Sequence, residues 1–379
     1  MNDPRIAPLK SWLAQPLDRD VSDALDRLRR APDMQTIAVM PDVHLASEIC
    51  IGVVIATSHL IYPQAVGGDI GCGMLAVAID REARVLKHPK TAASLLKELG
   101  RAVPARRRNR SAAIPQPAEI ADDYLSDESL ESIRRQEGSI EFATLGSGNH
   151  FLEFQSDDDD RLWLMVHSGS RALGPAIRDY HMANAQAVEG RLRALDAESD
   201  IGKAYLHDAS WARRFAAASR RAITEEVDKV LMQTLDCCID WKTMITTDHN
   251  HVSFEHHGGR ELWVHRKGAM SLTRGQHGVL PGSMGSPSFH VEGRGCEEAL
   301  YSSAHGAGRA LSRSAARSKF TEREFRRQME GVWYDYRLTN ELRDEAPAAY
   351  KDIRAVLKAQ RELVKVVRTL RPLLSYKGV

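Results

Sequence analysis

The chain has 379 residues, 43% hydrophobic and 27% charged, a globular composition long enough to bury a substantial core. Its formal net charge of +1 excludes a globally basic protein, so any nucleic-acid partner must be met by a local basic patch. Five irregularly spaced cysteines exclude a disulfide framework, no stretch approaches the ~20 apolar residues of a membrane span, and no secretory pattern opens the chain, so a cytoplasmic protein without a membrane partner is expected.

In chain order, short β-branched runs predict strands at Thr36–Met40, Ile51–Thr57 and Met74–Ile79. A helix is expected over Thr91–Ala102, followed by the polar, acidic stretch Gln116–Glu137. Strands return at His150–Phe154 and Leu162–His167, with the acidic surface loop Gln155–Arg161 between them. Helices are expected over Leu173–Leu195 and over Trp211–Leu235. In the second, Trp211, Phe215, Ile223, Val227, Val230 and Leu231 form a three-and-four stripe behind a cap at Asp208 or Ser210. A strand at Glu261–His265 and helices at Thr321–Met329 and Tyr350–Leu370 complete the reading. The elements interleave without a βαβ rhythm, which predicts an α+β fold.

Chemistry gathers in short Gly/Ser/His loops at the ends of these strands. The densest is Val66-Gly67-Gly68-Asp69-Ile70-Gly71-Cys72-Gly73-Met74, where a carboxylate and a thiol sit three residues apart among glycines. Leu145-Gly146-Ser147-Gly148-Asn149-His150, Val166-His167-Ser168-Gly169-Ser170-Arg171 and Asp248-His249-Asn250-His251 follow. Asp69, Cys72, His150, His167 and His249 supply carboxylate, thiolate and imidazole for one or two transition-metal ions, and their dispersal suits a catalytic site better than a structural clip. The loop Pro281–Ser288 suits a phosphate. His305, in Ser303-Ala304-His305-Gly306-Ala307-Gly308-Arg309, can serve as nucleophile or acid/base beside Arg309 and Arg313. The residues by themselves reach metal-dependent phosphoryl or nucleotidyl transfer.

The motifs GGDIGCGM, LGSGNHFLE, VHSGSR, HN, HRKGA, PGSMG and HGAGR, in this order, resemble the RtcB family of RNA ligases over nearly the whole chain. The resemblance implies one RtcB-like domain over residues 1–379, with mixed or antiparallel sheets flanked by helices and a dimetal site in a central cleft. It implies joining of RNA 3′-phosphate or 2′,3′-cyclic phosphate ends to 5′-hydroxyl ends, with GTP as co-substrate and two Mn(II) ions. Cys72 would bridge the ions, Asp69 and His150 completing one site and His167 and His249 the other. His305 would carry GMP. Asn149, Glu153, Asn250, Ser283 and Ser288 would line the GTP pocket, Tyr350 and Lys377 would meet the guanine, and Arg313 a phosphate. Cleaved tRNA or rRNA is the implied partner, with an archease-like activator as a further one.

The chain departs from the family pattern in Leu45-Ala46-Ser47-Glu48-Ile49-Cys50 after the PDVH motif, and in Met270 after HRKGA. Arg106, Arg107, Arg108 and Arg110 form a basic loop that either contacts RNA phosphates or is solvated surface. Cys50, Cys296 and the Cys237-Cys238 pair read as packing residues, His256-His257 as an exposed turn, and His44 as support for the metals or an RNA phosphate. A metal-dependent phosphohydrolase or nuclease, and an RNA-binding protein with a relic site, are the competing readings. The intact set of ligands and His305 argues against both.

Overall fold

A computed structural model describes residues 6–378. Two sheets dominate it. The first runs in the order Leu9–Ser11, Met34–His44, Ile51–Thr57, Arg260–Lys267, Asn250–His257, parallel only at its first pair. The second, antiparallel throughout, runs Ile239–Asp248, Gly73–Glu82, Arg161–Ser168, Phe151–Ser156, Val364–Tyr376, Ser288–Gly293, His277–Leu280. Helices flank both, giving the expected α+β architecture with one mixed and one antiparallel sheet.

The long helix Asp200–Leu235 covers the seven-stranded sheet. Trp211, Phe215, Ile223, Val227 and Leu231 are buried in one cluster with Val77, Leu164 and Val166 of the strands. The helix starts well before the expected cap: Ser199 caps it, accepting from Gly202 N, and Asp208 is buried within it, bonded to Ser126 and His181. The helix Arg19–Arg29 buries Val21, Leu25 and Leu28 against Ile37, Val39 and Ile55 of the five-stranded sheet. No helix of the described residues is long and apolar enough to cross a membrane.

The six predicted strands all form, within two or three residues at most ends. Two predicted helices are too long. The one expected over 173–195 ends at Asn184, and the chain continues as short strands Gln186–Ala187 and Arg193–Asp196 around Gly190, whose φ is +66°. The one expected over 350–370 is a helix only over Ile353–Ala359. Val364, Val366 and Val367 then favour the strand Val364–Tyr376, with Pro372 at an irregularity in its pairing. The acidic stretch 116–137 folds into two short α-helices, Ala118–Ala121 and Glu128–Ile133, and runs into a π-helical turn, Arg134–Gly138.

Candidate metal and nucleotide site

Four neighbouring strands of the seven-stranded sheet deliver the metal-ligand candidates to one end. Cys72 precedes Gly73–Glu82, His150 precedes Phe151–Ser156, and His167 closes Arg161–Ser168, where it pairs with both Met74 and Phe151. His249 is the single residue between Ile239–Asp248 and Asn250–His257, at the point where the chain passes from one sheet to the other. Glycine is required for this crowding. A Cβ at Gly73 would fall 2.1 Å from Thr247 O, and one at Gly169 would fall 2.1 Å from Asp69 Oδ1. Buried Arg220 braces the loops from the long helix, donating to Gly71 O (2.7 Å) and Ser168 O (2.9 Å).

The five side chains converge. Asp69 Oδ2 lies 2.8 Å from His150 Nε2, and Cys72 Sγ lies 3.5 Å from His150 Nε2 and 3.1 Å from His167 Nε2. His167 Nε2 lies 3.4 Å from His249 Nε2. Cys72, His167 and His249 form one group with all donor atoms within 4.8 Å, Asp69, Cys72 and His150 a second, and Cys72 belongs to both. His167 Nδ1 is 3.1 Å from Asn149 O, which aims Nε2 inward, and Ser170 N donates to Asp69 Oδ1 at 3.0 Å.

The electrostatics fit a cation site. Burial would raise the Asp69 carboxyl, but the adjoining His150 imidazole brings it down to about 2. Burial drives His167 and His249 well below the ordinary imidazole range; His150 and His305 act in the same direction on His167, and His305 and His167 on His249. Their lone pairs are therefore free near neutrality. Burial, then the Asp69 carboxylate, hold the Cys72 thiol well above its usual range, so a thiolate there requires a compensating cation. Two groups that share one sulfur can hold two ions, and the donor set suits a borderline-soft metal at least as well as Mn.

His305 follows the short strand Ser302–Ala304. Its Nδ1 lies 2.7 Å from Oδ2 of fully buried Asp42, in the strand Met34–His44, and its main-chain N donates to the same oxygen at 3.2 Å. Gly308, at φ +73°, lets the loop pass so near Asp42 that a Cβ would fall 2.4 Å from Asp42 O. The His305 ring lies 4.7 Å from that of His249, so His305 adjoins the ligand cluster. The short contact of the Asp42 carboxylate with Nδ1 favours the tautomer protonated there, with Nε2 as the other ring nitrogen.

A cavity of about 320 Å³ opens beside His305 and His167. Asn149, Glu153, Ser283, Ser288, Arg313, Tyr350 and Lys377 all line it, so those sequence candidates share one space. Asn250 does not: its amide ties the loops together, donating to Asp69 O (3.0 Å) and accepting from Gly268 N (2.9 Å). Glu345, which the sequence reading missed, organises the far end, taking Tyr350 OH at 2.8 Å and the cations of Lys377 and Arg313. Burial would raise it, but Lys377 and Arg313 bring it down to about 2. Burial pushes Glu153 up to about 8 despite Gln155 and Lys377, so this wall of the cavity carries a protonated carboxyl near neutrality.

The basic loop lies apart from the cavity lining. Arg107 pairs with Glu137 at 2.9 Å, and Arg108 donates to Ala102 O and Ala143 O, so both have internal partners. Arg106 and Arg110 are exposed. His44 lines the cavity, and its Nδ1 lies 2.9 Å from Asp42 O. Of the His256-His257 pair, expected to be exposed, only His256 is: His257 is buried, its Nε2 2.9 Å from Glu255.

A family profile described as tRNA-splicing ligase RtcB matches residues 25–130 and 119–378. The chain is 36% identical over 402 residues to the RNA-splicing ligase RtcB of Escherichia coli K12, covering 98% of each chain. It is 30% identical over 368 residues to RNA-splicing ligase RtcB2 of Escherichia coli ATCC 25922, covering 92% of this chain and 89% of that one. The tRNA-splicing ligase RtcB of Methanococcus maripaludis is 28% identical over 432 residues, covering 92% and 89%.

Proposed function

Because the chain belongs to the RtcB family of RNA ligases, we propose that it is an RNA ligase joining 3′-phosphate or 2′,3′-cyclic phosphate ends to 5′-hydroxyl ends, with GTP and two Mn(II) ions. The observation that carries this reading is the position of His305, held by Asp42 at Nδ1 between the shared-sulfur ligand cluster and the cavity. Metal ions bound by Asp69, Cys72, His150, His167 and His249 would neutralise phosphate charge and orient the α-phosphorus for in-line attack.

The remaining chemistry belongs to the chain. His305 Nε2 attacks the α-phosphorus of GTP, forming an N–P bond as pyrophosphate departs. Asp42 stabilises the positive charge that develops on the ring. Arg309 and Arg313 face the phosphates, while Tyr350, Lys377, Ser283 and Glu153 hold the base. Glu153, kept protonated, can donate a hydrogen bond to a base carbonyl, and Glu345 fixes the cations around it. A terminal RNA 3′-phosphate then takes GMP from His305, and the 5′-hydroxyl of the second fragment attacks that phosphate with GMP as leaving group. Cyclic ends are first hydrolysed to a 3′-phosphate.

On this reading residues 1–379 act as one ligase unit in the cytoplasm, on cleaved tRNA or rRNA, with an archease-like protein as activator. The test uses [α-³²P]GTP with Mn(II), and oligonucleotides carrying a labelled 3′-terminal phosphate. Acid-labile label on the wild-type chain but not on His305→Ala, and label retained at the junction, are expected. Joining of only 3′-hydroxyl to 5′-phosphate ends refutes the reading.

A further inference from the structure

Two histidines meet Asp42 near the end of the strand Met34–His44. Its carboxylate contacts His305 Nδ1, and its main-chain O lies 2.9 Å from Nδ1 of His44. Neighbouring contacts pin this stretch. Lys351 Nζ donates to Pro41 O at 3.3 Å and to Val43 O at 2.6 Å, and Gly52 packs so close that a Cβ there would fall 2.8 Å from Val43 N. His44 is thus anchored on the wall of the nucleotide cavity, which it lines together with Ile51 and His305. It also lines a narrow cleft of about 30 Å³ with Asp18, Arg309 and Lys351, so it stands where the two spaces meet.

The Asp42 carbonyl can only accept, so the hydrogen in its contact belongs to His44 Nδ1. A neutral ring then carries its lone pair on Nε2, which has no hydrogen-bond partner among the described residues. Burial favours that neutral ring, lowering the His44 pKa; the Asp42 carbonyl and carboxylate oppose the shift, and His305 and Lys351 reinforce it. Arg309 and Asp18, across the cleft, are the other charged neighbours. An unprotonated nitrogen is an acceptor and repels phosphate oxygens, so the RNA phosphate expected for His44 does not suit it. The group that suits it must bring a hydrogen. In the sealing step, the 5′-hydroxyl brings the hydrogen that has to leave.

We propose that His44 is the general base of the sealing step, taking the proton of the RNA 5′-hydroxyl at Nε2 as that oxygen attacks. The proposal rests on the ligase reading above. The 5′-oxygen forms its bond to the phosphorus of the 3′-terminal phosphate. The bond from that phosphorus to the oxygen of GMP breaks with its electron pair, GMP departs, and the hydroxyl proton ends on His44 Nε2. The two histidines held by Asp42 then divide the work: His305 carries GMP to the 3′ end, and His44 prepares the 5′ end to displace it.

The experiment uses RNA whose 3′-phosphate already carries GMP, mixed with a 5′-hydroxyl oligonucleotide and Mn(II), so that sealing is read apart from guanylylation. Single-turnover sealing is compared for the wild type, His44→Ala and His44→Gln, and self-guanylylation with [α-³²P]GTP is followed in parallel. Sealing should fall roughly 100-fold or more in both variants, the scale of one general base, and about tenfold more steeply than guanylylation does. Recovery of sealing in His44→Gln overturns the proposal, because an amide oxygen accepts a hydrogen bond but does not take the proton. The deficit should persist when the first nucleotide of the 5′-hydroxyl strand is 2′-deoxy; its disappearance there places His44 on a ribose hydroxyl and overturns the base. Unchanged sealing in His44→Ala, or an equal fall in guanylylation, overturns it as well. Absence of self-guanylylation in the wild type overturns the ligase reading instead.

Discussion

Asp42→Asn isolates the contact that orients His305, the proposed nucleophile. In the wild type the Asp42 carboxylate lies 2.7 Å from His305 Nδ1, close enough to favour the tautomer protonated on that nitrogen. A hydrogen bond to a charged group contributes ~1.5–3 kcal/mol and a neutral one ~0.5–1.5 kcal/mol, so the exchange weakens the contact by about 1–2 kcal/mol. The amide can also turn its NH₂ toward Nδ1, which favours the tautomer with the proton on Nε2, the wrong nitrogen for attack. Together these slow guanylylation by roughly 10- to 100-fold. The Asn side chain keeps the shape of the carboxylate, and Asp42 belongs to neither ligand group, so metal content and thermal midpoint should stay near wild type. Single-turnover labelling with [α-³²P]GTP, paired with metal analysis of the same sample, gives both readings. A labelling rate within twofold of wild type refutes the orienting role, and loss of metal would show that Asp42 supports the ligand cluster instead.

Cys72→Ser replaces the sulfur common to both ligand groups, so metal content should fall at both sites and guanylylation by orders of magnitude, while Cys296→Ser stays near wild type; equal losses in the two variants would reassign the shared ligand. Metal affinity should rise with pH across the neutral range, because binding must displace the proton of the raised Cys72 thiol, whereas His167 and His249 are already neutral and Asp69 already ionised. Chelator competition across that range checks it, and a flat profile contradicts a protonated thiol in the metal-free protein. Arg106→Gln with Arg110→Gln should flatten the salt dependence of RNA binding if the loop meets phosphates, whereas Arg107→Gln should leave the slope unchanged, its charge being already paired with Glu137. Arg220→Leu strips two buried carbonyls of their donor and should lower stability by ~2–4 kcal/mol in denaturant titration; an unchanged midpoint would show that the loops do not depend on it.

The candidate ligand cluster was legible because most members sit in a local signature, a side chain able to bind metal among glycines at a strand end. Cys72, His150 and His167 need no knowledge of pairing to attract notice, although only the antiparallel register brings them to one place. Asp42 was not legible as a partner of His305, since 263 positions separate them and the carboxylate lies within a strand. Glu345 was hidden differently. In Arg343-Asp344-Glu345 it reads as solvated surface, and only the folded chain shows its neighbours burying it beside Lys377. The strand Ile239–Asp248 escaped notice because its half-exposed alternation around Lys242 and Thr243 carries little apolar signal, and the strand Val364–Tyr376 because Ile353 and Val356 begin a helical spacing that its valines then break.

The division of parts between the two sheets has a mechanical implication. The candidate metal ligands before His249 hang from the seven-stranded layer, whereas Asp42, which meets His305, belongs to the five-stranded one, and His249 is the hinge pin through which both layers pass. On the proposed mechanism the gap between His305 and a bound phosphate would therefore be a property of how two slabs seat on one another, and no single loop would set it. On that mechanism a small sliding between the slabs would detune the reaction while leaving every candidate ligand and His305 intact. Substitutions far from the cavity can thus act as rate modulators without changing composition at the site, and a metal ion gripped by residues of one slab and the pin would work as a rivet that resists such slippage.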